Sequence, residues 1–74
     1  MDHIKIASEY ITLGQFLKFV GLISNGGDAK FAVKTFKITV NGALEDRRGR
    51  KLYPGDLVVI EKNTYKVEKG IENN

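Results

Sequence analysis

The first half of the chain spaces its apolar residues as a helix does, and the second half spaces them as strands do. After Thr12 an apolar stripe recurs at i, i+3, i+4 and i+7: Leu13, Phe16, Leu17 and Val20. Because residues three and four apart share one helix face, this segment is predicted to be an amphipathic helix of about two turns. Thr12 and Gln15 fit a capping box at its start, and Gly21 supplies its end.

A second apolar stripe with the same spacing follows: Ala29, Ala32, Val33 and Phe36. Asn25 is the expected N-cap of this helix, with Asp28 in the first turn, where a carboxylate favours the positive helix end. The apolar side is expected to pack on the first helix. Three lysines at i, i+4 and i+7 then face solvent, and we call them the lysine stripe: Lys30, Lys34 and Lys37.

The remainder consists of short apolar runs separated by turn residues, which is typical of β-strands. Asn41 and Gly42 form the strongest two-residue hairpin signal, and residues 53–56 (Tyr-Pro-Gly-Asp) predict a second turn. The expected strands are residues 38–40, 43–45, 57–60 and 65–67, the last pairing with residues 4–6. The predicted fold is therefore α+β, with two short helices packed on a small, mostly antiparallel sheet.

Length and composition fit one small domain. A chain of 74 residues holds one modest core, and 42% apolar residues argue against disorder. We expect one domain over residues 1–69, with its core in residues 11–60 and a frayed tail at residues 70–74. The absence of cysteine excludes disulfides and thiolate chemistry. No apolar run suits a signal peptide or a membrane span, so a cytoplasmic protein is expected.

Positive charge is concentrated in the middle of the chain. Residues 30–51 hold seven of its twelve Lys and Arg residues against Glu45 and Asp46, a net +5, while the whole chain is +3. Besides the lysine stripe, the seven include a group that we call the arginine loop: Arg47, Arg48, Arg50 and Lys51. Such a cluster is typical of a polyanion-binding protein. Arginine at three of the four loop positions favours phosphate, which the planar guanidinium binds bidentately.

In order and content, these motifs resemble the RNA-binding domain named after ribosomal protein S4. The resemblance rests on residues 28–30 (Asp-Ala-Lys), 38–42 (Ile-Thr-Val-Asn-Gly) and 54–58 (Pro-Gly-Asp-Leu-Val) within residues 11–60. A Gly-Gly pair before the second helix, here Gly26 and Gly27, is similar to the stand-alone bacterial form of the YaaA and YbcJ type. The resemblance implies a cytoplasmic bacterial protein that binds structured RNA, above all ribosomal RNA, in ribosome assembly or translation.

Carried over by position, the resemblance implies an RNA-binding surface on the second helix and the adjoining loop: Lys30, Lys34, Lys37, Arg47, Arg48, Arg50 and Lys51. Gly26 and Gly27 are candidate backbone contacts to phosphate, because a residue without a side chain lets phosphate approach the N–H groups. Two positions depart from the family. Gly26 stands where larger members place an arginine, and Phe36 stands where the family closes the helix with glycine. Since an aromatic residue is unfavourable in a left-handed cap, either Phe36 is strained or the helix ends differently.

The mode of binding follows from what surrounds the basic residues. The aromatic motif that stacks single-stranded bases is missing, so phosphate and shape recognition of a folded RNA is expected. Phe31, Phe36 and Tyr53 are candidates for stacking on bases, but each is expected to be a core or rim residue. The expected partners are structured RNA and a ribosomal subunit, with neither a membrane nor a small-molecule substrate.

Other classes of function have less support. With one histidine, no cysteine and no Walker-type phosphate loop, we expect neither an enzyme nor a cofactor or metal. The hairpin and Pro-Gly-Asp motifs also occur in β-grasp sulfur carriers, which react through a C-terminal Gly-Gly that residues 71–74 do not supply. A protein-interaction module whose basic face meets an acidic partner remains the second alternative.

Overall fold

The predicted helices and strands form, with additional short elements between them. The computed structural model describes residues 1–70. In chain order the elements are β1 (Asp2–Ile6), β2 (Ile11–Thr12), α1 (Leu13–Phe19), a 3₁₀ turn (Gly26–Asp28), α2 (Ala29–Thr35), β3 (Ile38–Val40), β4 (Ala43–Leu44), β5 (Lys51–Leu52), β6 (Leu57–Ile60) and β7 (Asn63–Lys69). The prediction of an α+β fold is confirmed.

Local side-chain chemistry defines both ends of α1. The hydroxyl of Thr12 accepts a hydrogen bond from the Gln15 N–H at 3.2 Å, and the Gln15 side chain accepts one from the Thr12 N–H at 2.9 Å. The predicted capping box is therefore confirmed. At the other end Gly21 has a φ of 84°, which lets the Leu22 N–H reach back to the Leu17 carbonyl at 3.0 Å. This is a Schellman-type ending, for which glycine is the preferred residue.

The second helix begins and ends differently from the simple prediction. Asn25 is an N-cap, as expected, but it caps the 3₁₀ turn by accepting a hydrogen bond from the Gly27 N–H at 2.7 Å. The α-helix ends at Thr35, and Phe36 has extended backbone angles, φ −85° and ψ 146°. Phe36 is therefore not in a left-handed cap and carries no backbone strain. Lys37 lies beyond the helix, so the prediction that it extends the helical face of Lys30 and Lys34 is wrong.

The main sheet has the strand order β1-β7-β6-β3-β4. β1 pairs in parallel with β7, with Ile4 opposite Val67, and the other pairings are antiparallel. The predicted pairing of the first and last strands is confirmed. The hairpin between β3 and β4 turns through Asn41 and Gly42, at φ 53° and 89°. Positive φ at both positions is the mark of a type I′ turn.

A second, two-stranded sheet was not predicted. In it β2 pairs antiparallel with β5, with Thr12 opposite Lys51. The strands have two residues each, too few to show a period-2 apolar pattern. This pairing joins the start of α1 to the end of the arginine loop, so it positions the candidate site.

One apolar cluster joins the helices to the sheet. Its most deeply buried side chains are Phe16, Leu13, Leu17, Ile38, Leu52, Ile60, Val40, Val58 and Val67. Phe16 meets Tyr65 edge to face, with 5.4 Å between ring centroids. Ala29, Ala32 and Val33 bury the inner side of α2. Because these contacts use the inner side of α2, its outer side is left for other interactions.

The end of the described chain is held by the sheet. The Gly70 N–H donates to the Ile6 carbonyl at 2.7 Å, and the fraying of residues 70–74 stays a prediction. The rest of the predicted tail, residues 71–74, lies outside the described residues. Over residues 1–70, neither helix has the length and apolar character needed to cross a bilayer.

Candidate nucleic-acid interface

A buried carboxylate lies at the base of the arginine loop. Glu45, only 7% exposed, accepts hydrogen bonds from Arg47 Nε at 2.8 Å and Nη2 at 3.1 Å, and from Arg50 Nη1 at 2.7 Å. The Arg47 backbone N–H adds a fourth at 3.1 Å. Two of the three arginines of the loop are thereby held in fixed positions by one acidic side chain.

The same contacts set the protonation of Glu45. The hydrogen bond from the Arg47 side chain lowers the pKa of Glu45 to about 2, with further help from Arg50 and against the opposing effect of burial. In return, the Glu45 carboxylate raises the pKa of Arg47. Because a carboxylate with this pKa is ionised at neutral pH, the ion pairs persist under physiological conditions.

Backbone hydrogen bonds fix the arginine loop against the start of α1. The Arg48 carbonyl accepts from the Gly14 N–H at 2.9 Å, and the Arg50 carbonyl accepts from the Leu13 N–H at 2.8 Å. The first N–H groups of a helix have no partner within it, so the loop satisfies two of them. Since the backbone makes these contacts, the Arg48 side chain is not needed for docking and remains exposed.

Gly14 is the point where α1, α2 and the arginine loop meet. A Cβ at this position would lie 3.1 Å from Ala29 Cβ and 3.4 Å from the Arg48 carbonyl oxygen. Only glycine permits so close an approach without displacement of a neighbour. The start of α2 and the arginine loop are therefore adjacent, which the sequence pattern did not reveal.

The outer side of α2 continues this basic surface. Lys34 pairs with Asp46 at 3.1 Å, with both side chains about two-thirds exposed, and Lys30 lies exposed one turn earlier. Lys37 is not on the helix, but it lines a groove with Lys34 and Asp46 between α2 and the β3–β4 hairpin. The structure thus brings Lys34 and Lys37 close to Asp46, which precedes the arginine loop, while Lys30 lies exposed on the same helix.

The fourth residue of the arginine loop is held separately. Lys51 lies in β5, and its Nζ is 4.9 Å from the centroid of the Tyr10 ring. This is a cation–π contact, worth roughly 0.5–1 kcal/mol at an exposed site. Lys51 is therefore directed towards Tyr10 rather than towards the carboxylate of Glu45.

A second groove runs between the arginine loop and the helices. It is lined by Thr12, Gly14, Gln15, Lys18, Gly26, Ala29, Arg48 and Gly49. Lys18 was missed as a candidate, because it lies outside the basic window and only the packing of α1 brings it here. Of the two candidate glycines, Gly26 borders the groove. The N–H of Gly27 is already donated to the Asn25 side chain, so in this structure it is not available to a phosphate.

The chemistry that the described residues bring together is mainly that of basic side chains. Within residues 1–70, no three His, Asp or Glu side chains come together in a group that could hold a metal ion. What the arrangement provides is a set of guanidinium and ammonium donors around two grooves, some held by hydrogen bonds to Glu45 and others exposed. Donors of this kind bind phosphate oxygens.

Comparison with known proteins gives two similarities. A protein-family model described as the S4 domain matches residues 4–68. The probable ribosome maturation protein RlbA of Bacillus subtilis (strain 168) is 52% identical over 58 residues, which are 78% of this chain and 82% of that protein. The family model spans both helices, the hairpin and the arginine loop.

Proposed function

The chain belongs to the S4 domain family, and on that premise we propose that it is a non-catalytic bacterial protein that binds structured RNA. The proposed target is ribosomal RNA in the cytoplasm, and the proposed setting is the maturation of a ribosomal subunit. The similarity to a probable ribosome maturation protein supports this setting.

The observation that carries the proposal is the junction at Gly14, which places the arginine loop beside α2. On this proposal the two basic segments, which are 10 or more residues apart in sequence, contribute to one RNA-binding surface. A phosphate backbone presents regularly spaced charges, so a continuous basic surface matches it better than two separate patches would.

Some of the basic side chains are held by hydrogen bonds to a carboxylate, and others are exposed without such a partner. Arg47 uses Nε and Nη2 on Glu45, which directs its Nη1 group away from the carboxylate, and its side chain is 72% exposed. It is therefore an oriented donor for an outer phosphate. In the described part of the chain, Lys30 and Arg48 form no salt bridge, so no paired carboxylate competes with an RNA phosphate for either side chain.

Phosphate is also able to displace the exposed partner of Lys34. Surface ion pairs contribute about 0–1 kcal/mol, and Lys34 with Asp46 is such a pair. Breaking the Lys34–Asp46 ion pair so that a phosphate can bind Lys34 therefore costs little free energy. Gly26, at the edge of the groove with Lys18 and Arg48, leaves room for a phosphate to enter.

Ultraviolet crosslinking in bacterial cells, followed by sequencing of the bound RNA, tests the proposal. The matched control is the double variant Lys30→Ala and Arg48→Ala, which removes two exposed charges and leaves the Glu45 contacts intact. We expect one or a few ribosomal RNA segments to be enriched with the wild type and lost with the variant at equal protein abundance. Equal crosslinking of both proteins, or no enrichment of ribosomal RNA, would contradict the proposal.

A further inference from the structure

The outer side of α2 carries one large aromatic side chain, Phe31, and it is 70% exposed. Phe31 is therefore not a core residue. The other apolar residues of α2 are the buried Ala29, Ala32 and Val33. Phe31 lies between Lys30 and Lys34 in sequence, and all three are exposed on a helix of seven residues.

The helical backbone places Phe31 beside Lys34 on the outer side of α2. Phe31 and Lys34 are three residues apart, so their side chains are neighbours on the helix surface. The Phe31 carbonyl accepts a hydrogen bond from the Thr35 hydroxyl at 2.8 Å, in addition to its place in the helix. The basic surface thus has an exposed aromatic side chain beside the helix face that Lys30 and Lys34 share.

The positive charge of Lys30 and Lys34 indicates which kind of partner can cover the Phe31 ring. A protein partner that covered Phe31 would also have to desolvate Lys30 and Lys34, and lysine is depleted in the cores of protein interfaces. An unpaired nucleobase offers a flat π-face for the ring, and the phosphates on either side of it neutralise the lysines. The charge pattern therefore favours nucleic acid over protein as the occupant of this site.

We propose that Phe31 stacks on an unpaired base of the bound RNA while Lys30 and Lys34 contact the phosphates that flank it. This inference rests on the proposed RNA-binding function and extends it. The protein would recognise a helix interrupted by a bulge or loop, in addition to the phosphate backbone.

The test uses two synthetic hairpin RNAs with the same stem at low salt, one fully paired and one with a single bulged 2-aminopurine. Wild type is expected to bind the bulged RNA more tightly and to change the 2-aminopurine fluorescence. Phe31→Ala should weaken binding to the bulged RNA by about 5- to 150-fold and that to the paired RNA by less than about twofold. Phe31→Trp should retain the affinity and the fluorescence change, and Phe31→Leu should lose both.

Phe19→Ala is the matched control, because Phe19 is 60% exposed but lies on α1; it should behave as wild type. Thermal melting should show all variants folded, since Phe31 is exposed. Equal weakening of both RNAs by Phe31→Ala, or full affinity with Phe31→Leu, would overturn the stacking proposal. So would unchanged RNA binding by Phe31→Ala together with loss of co-sedimentation with ribosomal subunits, which would assign the ring to a protein partner.

The two proposals fail in different ways. If Phe31→Ala has no effect while Lys30→Ala weakens binding to both RNAs, RNA binding stands and stacking is wrong. If wild type binds neither RNA measurably, the proposed function itself is contradicted.

Discussion

Arg47 donates two hydrogen bonds to the buried carboxylate of Glu45, from Nε at 2.8 Å and from Nη2 at 3.1 Å. An acidic residue thus lies at the centre of the most basic segment of the chain. It offsets part of the positive charge, but it also fixes the guanidinium groups of Arg47 and Arg50. We infer that Glu45 weakens the attraction of the arginine loop for a polyanion but holds the guanidinium groups of Arg47 and Arg50 in a defined geometry.

Replacing Glu45 tests this structural role. Glu45→Gln should lower the free energy of unfolding by about 1–3 kcal/mol, because it leaves the half-buried Arg50 without its charged partner. Chemical denaturation measures the change. Asp46→Asn is the matched control, since Asp46 is exposed; it should stay within about 0.5 kcal/mol of wild type. Equal stability of wild type and Glu45→Gln would contradict the role assigned to the carboxylate.

The depressed pKa of Glu45 predicts a pH dependence of stability. The pKa is lowered from 4.5 to about 2 on folding, so the ionised carboxylate stabilises the protein fully above pH 4.5 and loses this effect as the pH falls through about 2. The difference in unfolding free energy between wild type and Glu45→Gln should therefore be constant near neutral pH and shrink in that acid range. A difference that persists at pH 2 would assign the stabilisation to something other than ionisation.

Asp46→Asn should strengthen RNA binding. The substitution releases Lys34 from its ion pair and raises the net charge of the basic surface by one. Affinity for a structured RNA should rise a few-fold at low salt, and the gain should fade as salt screens the charges. Asp2→Asn makes the same change of charge on β1 and serves as control. An equal gain from both variants would mean that only net charge matters.

Alanine substitutions of Arg47 and Arg48 should distinguish effects on RNA binding from effects on stability. Arg48→Ala removes an exposed side chain and should leave stability within about 0.5 kcal/mol, whereas Arg47→Ala also deprives Glu45 of a partner and should cost about 1 kcal/mol more. Both should weaken binding to different structured RNAs by similar factors, because phosphate contacts carry no sequence information. Loss of affinity for a single RNA would indicate base recognition by that arginine.

Two glycines give a matched pair of substitutions. A Cβ at Gly26 meets nothing within 4 Å, whereas one at Gly14 meets Ala29 Cβ at 3.1 Å. Gly26→Ala should therefore keep the melting temperature or raise it while it weakens RNA binding, and Gly14→Ala should lower the melting temperature. Gly27→Ala is a less clean test, since its Cβ would lie 3.3 Å from the capping oxygen of Asn25. Unchanged affinity of Gly26→Ala would remove this glycine from the interface.

The sequence predicts what is local and misses what depends on packing. Thr12 with Gln15, and Asn41 with Gly42, act on their own backbone, so the capping box and the hairpin were predictable. The burial of Glu45 was not, because glutamate is seldom buried unless it is paired.

In the candidate site, too, local features were predictable from the sequence and features that depend on packing were not. Its basic residues are visible in the sequence, but their grouping depends on backbone contacts between the loop and α1, such as that from Gly14 to the Arg48 carbonyl. Lys18 was recognised only when the structure showed which helix surfaces are exposed, and the same information shows that Phe31 is not a core residue. Lys37 does not lie on the predicted helix face, because the extended backbone of Phe36 ends the helix before it.

The salt dependence of RNA affinity tests the central claim most directly. If about five phosphates are bound, the logarithm of the association constant should fall with the logarithm of salt concentration, with a slope of about −3.5 to −4.5. The double variant Lys30→Ala and Arg48→Ala should reduce the magnitude of that slope by about 1.4–1.8. A salt-independent affinity, or a variant with the same slope as wild type, would contradict the claim that these basic residues bind the phosphates of a structured RNA.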